Sequence, residues 1–144
     1  MSTLRTVFSL AAEHDFELEG MDVDAVYWNA PVEEELFVKQ PPEFSPFSRD
    51  VPFVRRLRKS LYGLKQSDRN WNNTLDDFLV GIGLDRSTTD SCLHFSRDEG
   101  GETNLLVVLE DLKHNISQRF RMKDLGSLPR VLGIEVRRGR PNVP

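Results

Sequence analysis

The sequence predicts a mixed α+β fold. Three segments carry apolar residues at helical spacing and several short segments have strand-like composition, but the two kinds do not alternate in regular βαβ units. The chain has 144 residues, of which 38% are hydrophobic and 29% charged, and this suits a globular protein with a moderate core. We therefore expect residues 1–144 to form a single domain.

The first half of the chain begins with a helix and continues in short strands. Apolar residues at spacings of three and four predict a helix over about residues 3–14: Leu4, Val7, Phe8 and Ala11. Phe16–Val23 has the pattern of a strand, and Leu36–Val38 is a second candidate. Residues 39–50 are rich in Pro and Ser and predict a loop, because proline cannot donate to a strand ladder. Val51–Leu57 returns as an extended segment.

The second half contains two further helices separated by a hairpin. Ser67 is a suitable N-cap for a helix with one apolar face: Trp71, Leu75, Phe78, Leu79 and Ile82. Cys92–Phe95 and Asn104–Leu109 are predicted to pair around a loop that contains two adjacent glycines. A third apolar set marks another helix: Leu112, Ile116 and Phe120. Val131–Val136 reads as a final strand, and we expect residues 137–144 to be a disordered tail.

Composition excludes several classes of protein. The longest apolar run, Leu105–Leu109, is too short to span a membrane, and the N-terminus MSTLRTVFSL lacks the pattern of a signal peptide. Cys92 is the one cysteine, so an intrachain disulfide is excluded, and its strand context predicts a packed thiol. We expect an intracellular protein of the cytoplasm or nucleus with no membrane partner.

Charge is unevenly distributed along the chain. The net charge is −4, which argues against a general nucleic-acid binder. However, five basic residues lie within eleven positions: Arg55, Arg56, Arg58, Lys59 and Lys65. This clustering predicts a local basic face, although an ordinary solvated surface would have the same composition.

Two motifs combine residues that are suited to binding and catalysis. Ser60–Trp71 reads SLYGLKQSDRNW, in which Gly63 would let a ligand or a nucleic-acid backbone approach closely, or would simply form a turn. Met21–Ala30 reads MDVDAVYWNA, in which Asp22 lies near the end of a predicted strand and Tyr27 follows five positions later.

Both motifs resemble Ty1/copia-type retrotransposon reverse transcriptases, and the resemblance covers about Arg5–Arg138. Three further segments are similar to that family: VEEELFVKQPPEF (Val32–Phe44), FRMKDLG (Phe120–Gly126) and LGIEV (Leu132–Val136). The resemblance implies an incomplete palm-like antiparallel sheet with packed helices. It also implies RNA-directed DNA polymerisation, with magnesium as cofactor and with dNTPs and an RNA/DNA primer–template as partners.

The resemblance also assigns roles to single residues. Asp22 matches the catalytic metal ligand, and Tyr27 matches the aromatic residue under the nucleotide sugar, although a core or edge position for Tyr27 remains open. Tyr62, Gly63 and Lys65 match positions that line the nucleotide pocket. Nucleic-acid contacts are expected from the basic stretch and from the primer-gripping segment: Arg55, Arg56, Arg58, Lys59 and Gly133.

The chain departs from the family pattern at the catalytic doublet. It contains no Tyr-x-Asp-Asp, and its apolar segment is followed by Glu110 and Asp111. In one interpretation these two residues are a decayed doublet. In the other, which we favour, they belong to the following helix. Either interpretation requires a deletion between Val108 and Lys123. Ser67-Asp68 also stand where the family has Ala-Pro.

We therefore expect a truncated and internally deleted palm fragment that does not polymerise DNA and binds no magnesium stably. One alternative is a non-enzymatic module that binds RNA or a protein partner through Arg55–Lys65. The other is a relic without a function.

Overall fold

The structure, a computed structural model, describes residues 2–41, 54–97, 103–104, 109–131 and 134–136. Its helices are α1 (Ser2–Glu13), a 3-10 helix (Val26–Asn29), α2 (Ser67–Gly81) and α3 (Leu109–Arg119). Its strands are β1 (Glu19–Val23), β2 (Phe37–Lys39), β3 (Val54–Arg56), β4 (Asp85–Arg86), β5 (His94–Arg97), β6 (Thr103–Asn104), β7 (Met122–Ser127), β8 (Arg130–Val131) and β9 (Ile134–Glu135). All described strand pairings are antiparallel, which is compatible with the α+β class.

The chain divides into two compact units. The first unit comprises Met1–Asp24 and Val108–Pro144, and the second comprises Ala25–Val107. β1 and β7 form the sheet of the first unit, with a shift of register between Gly20 and Met21. A Cβ at Gly20 would contact the end of the Leu128 side chain, which packs directly over this irregularity.

Helix α3 is attached to this sheet by charge as well as by apolar burial. Ile116 and Phe120, one turn apart, are 8% and 1% exposed. The ammonium of Lys113 forms ion pairs with Glu19 on β1 and, at 2.9 Å, with Asp124 on β7. The hydrogen bond to Glu19 is the main cause of the raised pKa of Lys113, and Lys113 in turn lowers the pKa of Asp124. One side chain of α3 therefore joins both strands.

The second unit packs α2 against the 3-10 helix and β4. β2 pairs with β3, and β4, β5 and β6 form a three-stranded sheet. Asp76 on α2 connects the helix to this sheet, because Nη1 of Arg86 and Nε2 of His94 each lie 2.8 Å from one of its carboxylate oxygens. Ala30 and Leu84 are buried in this unit.

Several details correct the expectations from sequence. Ser67 is not an N-cap, because α2 begins at Ser67 itself and its hydroxyl donates to the carbonyl of Leu61 at 2.5 Å. The single strand predicted at Val131–Val136 is wrong, because β8 and β9 pair there as an antiparallel hairpin. Cys92, expected to be packed, is exposed because β5 begins two residues later.

Some expectations fall outside the described residues. They concern residues 42–50 of the predicted Pro- and Ser-rich loop, residues 105–108 of the predicted hairpin strand, and the expected tail at 137–144.

The ion pair of Asp124 predicts acid sensitivity in the first unit. Its folded pKa is lowered, so its contribution to stability is present above the unfolded value of about 4 and is lost as the pH falls through the folded pKa. We expect Asp124→Asn to unfold at a lower temperature than the natural sequence at pH 7, with the difference shrinking at about pH 2.5. Thermal unfolding followed by circular dichroism checks this.

The matched control is Asp77→Asn, which removes the same charge from an exposed position on α2. We expect it to leave the unfolding temperature near that of the natural sequence at both pH values. A deficit of Asp124→Asn that stays constant from neutral to acid pH would contradict the assignment.

Candidate functional site

Two aromatic side chains and one carboxylate meet at the start of α2. Tyr27, on the 3-10 helix, lies edge-on to Tyr62, with ring centroids 4.5 Å apart and ring planes at 69°. Its hydroxyl donates a hydrogen bond to Oδ1 of Asp68, in the first turn of α2. This bond is the main cause of the raised pKa of Tyr27. Tyr62 is 67% exposed, so its ring is available to a ligand.

The turn that carries Tyr62 is fixed by buried hydroxyl groups. Ser60 and Ser67 are almost fully buried, at 0% and 1% exposure. The hydroxyl of Ser67 donates to the carbonyl of Leu61, and that of Ser60 accepts a hydrogen bond from Nδ2 of Asn70 at 3.2 Å. Each buried hydroxyl has a partner, as burial requires. The sequence SLYGLKQS thus folds back onto α2.

A shallow groove in the second unit combines positive charge with an exposed indole ring. It has a volume of about 410 Å³ and is lined by Trp28, Arg56, Leu57, Arg58, Lys59 and Leu61. Trp28 is 58% exposed, and Arg56 forms an ion pair with Glu35 at 3.1 Å. Arg58 and Lys59 are exposed and have no acidic partner among the described contacts. Their charges remain available to an anion.

The other basic candidates lie beside this groove or before α2. Arg55 donates through Nε to Gln40 at 2.8 Å. Lys65 is exposed, and no contact between it and the tyrosine pair is among the described contacts. The structure therefore brings Tyr27 and Tyr62 together but does not join Lys65 to them.

Asp22 lies on β1, opposite a lysine. Its cross-strand partner is Lys123 on β7, and both residues are exposed. Directly paired side chains share one face of a sheet about 5 Å apart, so the two charges are neighbours. The next acidic residue, Asp24, is paired with Nε of Arg121 at 3.0 Å. Asp22 supplies one carboxylate here, whereas Mg²⁺ requires several well-placed oxygen ligands.

Glu110 and Asp111 lie in the first turn of α3, which begins at Leu109. The structure thus has them in a helix rather than on a turn between strands, which supports the second of the two interpretations of this region. Acidic residues are favoured at a helix N-terminus because they meet the positive end of the helix dipole. Gly133 lies outside the described residues, so its expected contact with nucleic acid stays a prediction.

Sequence reasoning missed two residues of the site. Asp68 stands where the resembling family has proline, but its partner Tyr27 lies 41 positions away in the chain, and no pattern in the sequence connects the two. Trp28, within the motif Met21–Ala30, is exposed on the groove. The indole ring lies far from the basic stretch in the sequence, and only the folded chain brings the two together.

Comparison with known proteins decides the family. A family model described as reverse transcriptase (RNA-dependent DNA polymerase) matches residues 1–141. The chain belongs to this family. The retrovirus-related Pol polyprotein from transposon TNT 1-94 of Nicotiana tabacum is 34% identical over 97% of the chain. The corresponding polyprotein from transposon RE1 of Arabidopsis thaliana is 32% identical over 95% of the chain, and a putative transposon Ty5-1 protein of Saccharomyces cerevisiae is 31% identical over 81%.

These relatives are longer than this reverse transcriptase fragment. The chain spans 12% and 10% of the two plant polyproteins and 42% of the yeast protein. No solved structure is significantly similar to it.

The described part of the fragment contains neither a membrane-spanning helix nor a cluster of metal-ligating side chains. None of its helices has the length and apolar character needed to cross a membrane. Within the same ranges, no group of three or more His, Cys, Asp or Glu side chains is placed to hold a metal ion.

Gly63 predicts a measurable cost for any side chain in the turn. Its φ is +90°, a conformation that disfavours L-residues, while no atom would block an added methyl group. We expect Gly63→Ala to lower the free energy of unfolding by about 1–2 kcal/mol because of backbone strain alone. Chemical denaturation measures this loss.

Gly81→Ala is the matched control, because Gly81 ends α2, has no positive φ and is equally open. That change should be neutral or should stabilise the protein by up to about 1 kcal/mol. Equal effects of the two substitutions would contradict the assigned conformation of the turn.

Proposed function

We propose that this reverse transcriptase fragment is a single, partial palm domain that does not catalyse DNA polymerisation. The observation that carries the proposal is the start of α3 at Leu109, which makes Glu110 and Asp111 part of a helix. In the resembling family, the catalytic doublet lies on a tight turn that follows an apolar strand. The antiparallel pair β1–β7, with α3 attached to it through Lys113, supports a palm-like arrangement of the first unit.

The chemistry of nucleotidyl transfer explains why this difference matters. Two magnesium ions about 4 Å apart must be held by carboxylates from separate elements. Asp22 supplies one such carboxylate, and its neighbour across the sheet is Lys123. A displacement of reacting groups by about 1 Å costs on the order of a hundredfold in rate, and replacing a turn by a helix changes the position of the doublet by more than that.

The length of the match to the tobacco polyprotein also supports an internal deletion. This match extends over 154 residues, whereas the chain has 144, so at least 10 positions of the relative have no counterpart here. A typical strand has about five or six residues, so a strand and a turn missing between Val108 and Lys123 would account for a gap of this length.

Primer extension tests the proposal directly. The purified protein, an annealed RNA template with a DNA primer, all four dNTPs and Mg²⁺ should give no more incorporation than Asp22→Ala under the same conditions. A reverse transcriptase with an intact Tyr-x-Asp-Asp motif serves as the positive control. Incorporation that the natural sequence supports and Asp22→Ala abolishes would refute the proposal.

A second candidate function is the binding of single-stranded RNA in the groove beside Trp28. The groove offers the cationic side chains of Arg58 and Lys59 together with an exposed indole ring. Proteins that bind single strands combine these two features, because cations follow the phosphates while bases stack on aromatic rings. The protein's overall charge of −4 does not prevent this, since binding depends on the local basic surface.

Titration of a fluorescently labelled RNA oligonucleotide at several salt concentrations tests the groove. We expect Trp28→Ala to weaken binding by about tenfold through lost stacking, and Arg58→Ala to reduce the salt slope by about one unit. Lys39→Ala, which removes an exposed positive charge from β2 outside the groove, should have little effect. Equal effects of all three changes, or no binding at low salt, would exclude this function.

A further inference from the structure

Three consecutive glutamates loop out of the backbone pairing beside the basic groove. The N–H of Leu57 donates to the carbonyl of Leu36 at 2.8 Å, and the N–H of Val32 donates to the carbonyl of Arg58 at 3.3 Å. Leu57 and Arg58 are adjacent in the chain, whereas Val32 and Leu36 are four positions apart, so the three residues between them bulge from the ladder. We call these exposed residues the acidic bulge: Glu33, Glu34 and Glu35.

Two side-chain contacts hold the acidic bulge on the second unit. Oε1 of Glu35 lies 3.1 Å from Nη1 of Arg56, which lines the groove. Oε2 of Glu34 accepts a hydrogen bond at 2.8 Å from Nε2 of Gln66, the residue before α2. Glu33 has no partner among the described contacts. The pairing at its base and the bond to Gln66 thus anchor the bulge so that the carboxylate of Glu35 reaches the groove.

The carboxylate of Glu35 engages a donor that a phosphate oxygen would otherwise use. A guanidinium binds carboxylates and phosphates through the same N–H groups. Arg56 and Glu35 are 59% and 67% exposed, so their ion pair is open to an anion from solution. The other two cations of the groove, Arg58 and Lys59, have no acidic partner among the described contacts. The chain itself therefore occupies one of the three cationic side chains that line the groove.

We propose that the acidic bulge is an autoinhibitory element that competes with RNA phosphates for Arg56. This inference rests on the second candidate function, the binding of single-stranded RNA beside Trp28. An RNA that displaces Glu35 gains a contact with Arg56, but the freed carboxylate then attracts a cation from solution, so the net release of counterions is smaller. An exposed ion pair changes an equilibrium constant by about two- to fivefold, so the bulge weakens RNA binding without abolishing it.

Titration of the full chain with a labelled single-stranded RNA at several salt concentrations tests the competition. Glu35→Gln removes the competing charge and keeps a side chain of the same length. We expect this variant to bind RNA about threefold more tightly at low salt and to have a salt slope steeper by about one unit, because Arg56 becomes available to a phosphate. An unchanged affinity would overturn the inference.

A double-mutant cycle separates the ion pair from general repulsion. Glu33→Gln is the matched control, because it removes the same charge from the same bulge at a side chain without a described partner. We expect it to raise the affinity by less than about twofold. In the background of Arg56→Ala, the gain from Glu35→Gln should shrink to the size seen for Glu33→Gln, because the cation for which Glu35 competes is absent.

The outcomes distinguish this inference from the function on which it rests. If the natural sequence binds RNA but Glu33→Gln and Glu35→Gln give equal gains, or if the gain from Glu35→Gln persists in full with Arg56→Ala, long-range repulsion explains the data and the autoinhibition is refuted, while RNA binding stands. If no variant binds RNA at low salt, the groove is not an RNA site, and both the second candidate function and this inference are overturned.

Discussion

The double ion pair of Lys113 is the interaction on which the first unit depends. Two paired strands alone are marginally stable in water, and β1 with β7 form only a two-stranded sheet within the described residues. Lys113 joins α3 to both strands at once, through Glu19 and Asp124. Lys113 and Glu19 are only 14% and 22% exposed, so this pair is less screened by solvent than an ordinary surface ion pair, whereas Asp124 is 54% exposed. Glu110 and Asp111 lie within one turn before Lys113 in the same helix.

The second unit brings together residues of the two motifs that resemble the family. Buried hydroxyls and the positive φ of Gly63 still present Tyr62 beside Tyr27. In the first unit, Asp22 remains on its strand with Lys123 as its neighbour. Under the proposed function, fold and local geometry persist where the full set of catalytic carboxylates does not. This order is expected on physical grounds, because packing constrains every residue of a core whereas catalysis depends on a few placed groups.

The sequence predicted elements whose residues are close together in the chain. The apolar spacing from Trp71 to Ile82 located α2, because helix periodicity is a local property. The sequence could not predict the hydrogen bond between Asp68 and Tyr27, because this contact depends on a turn that brings distant segments together. The N-cap role predicted for Ser67 was also wrong. Its hydroxyl donates to the carbonyl of Leu61 in the preceding turn and does not cap the helix N-terminus. Motif resemblance identified the family but not the contacts within the site.

The position of α3 is the central claim, and backbone NMR of the labelled protein tests it most directly. The account predicts helical Cα and Cβ shifts at Leu109, Glu110 and Asp111, with medium-range contacts from this turn into the next turn of the helix. Extended shifts at Leu109, followed by a tight turn at Glu110 and Asp111, would contradict it, because that geometry would return the two carboxylates to the arrangement that the family uses for catalysis.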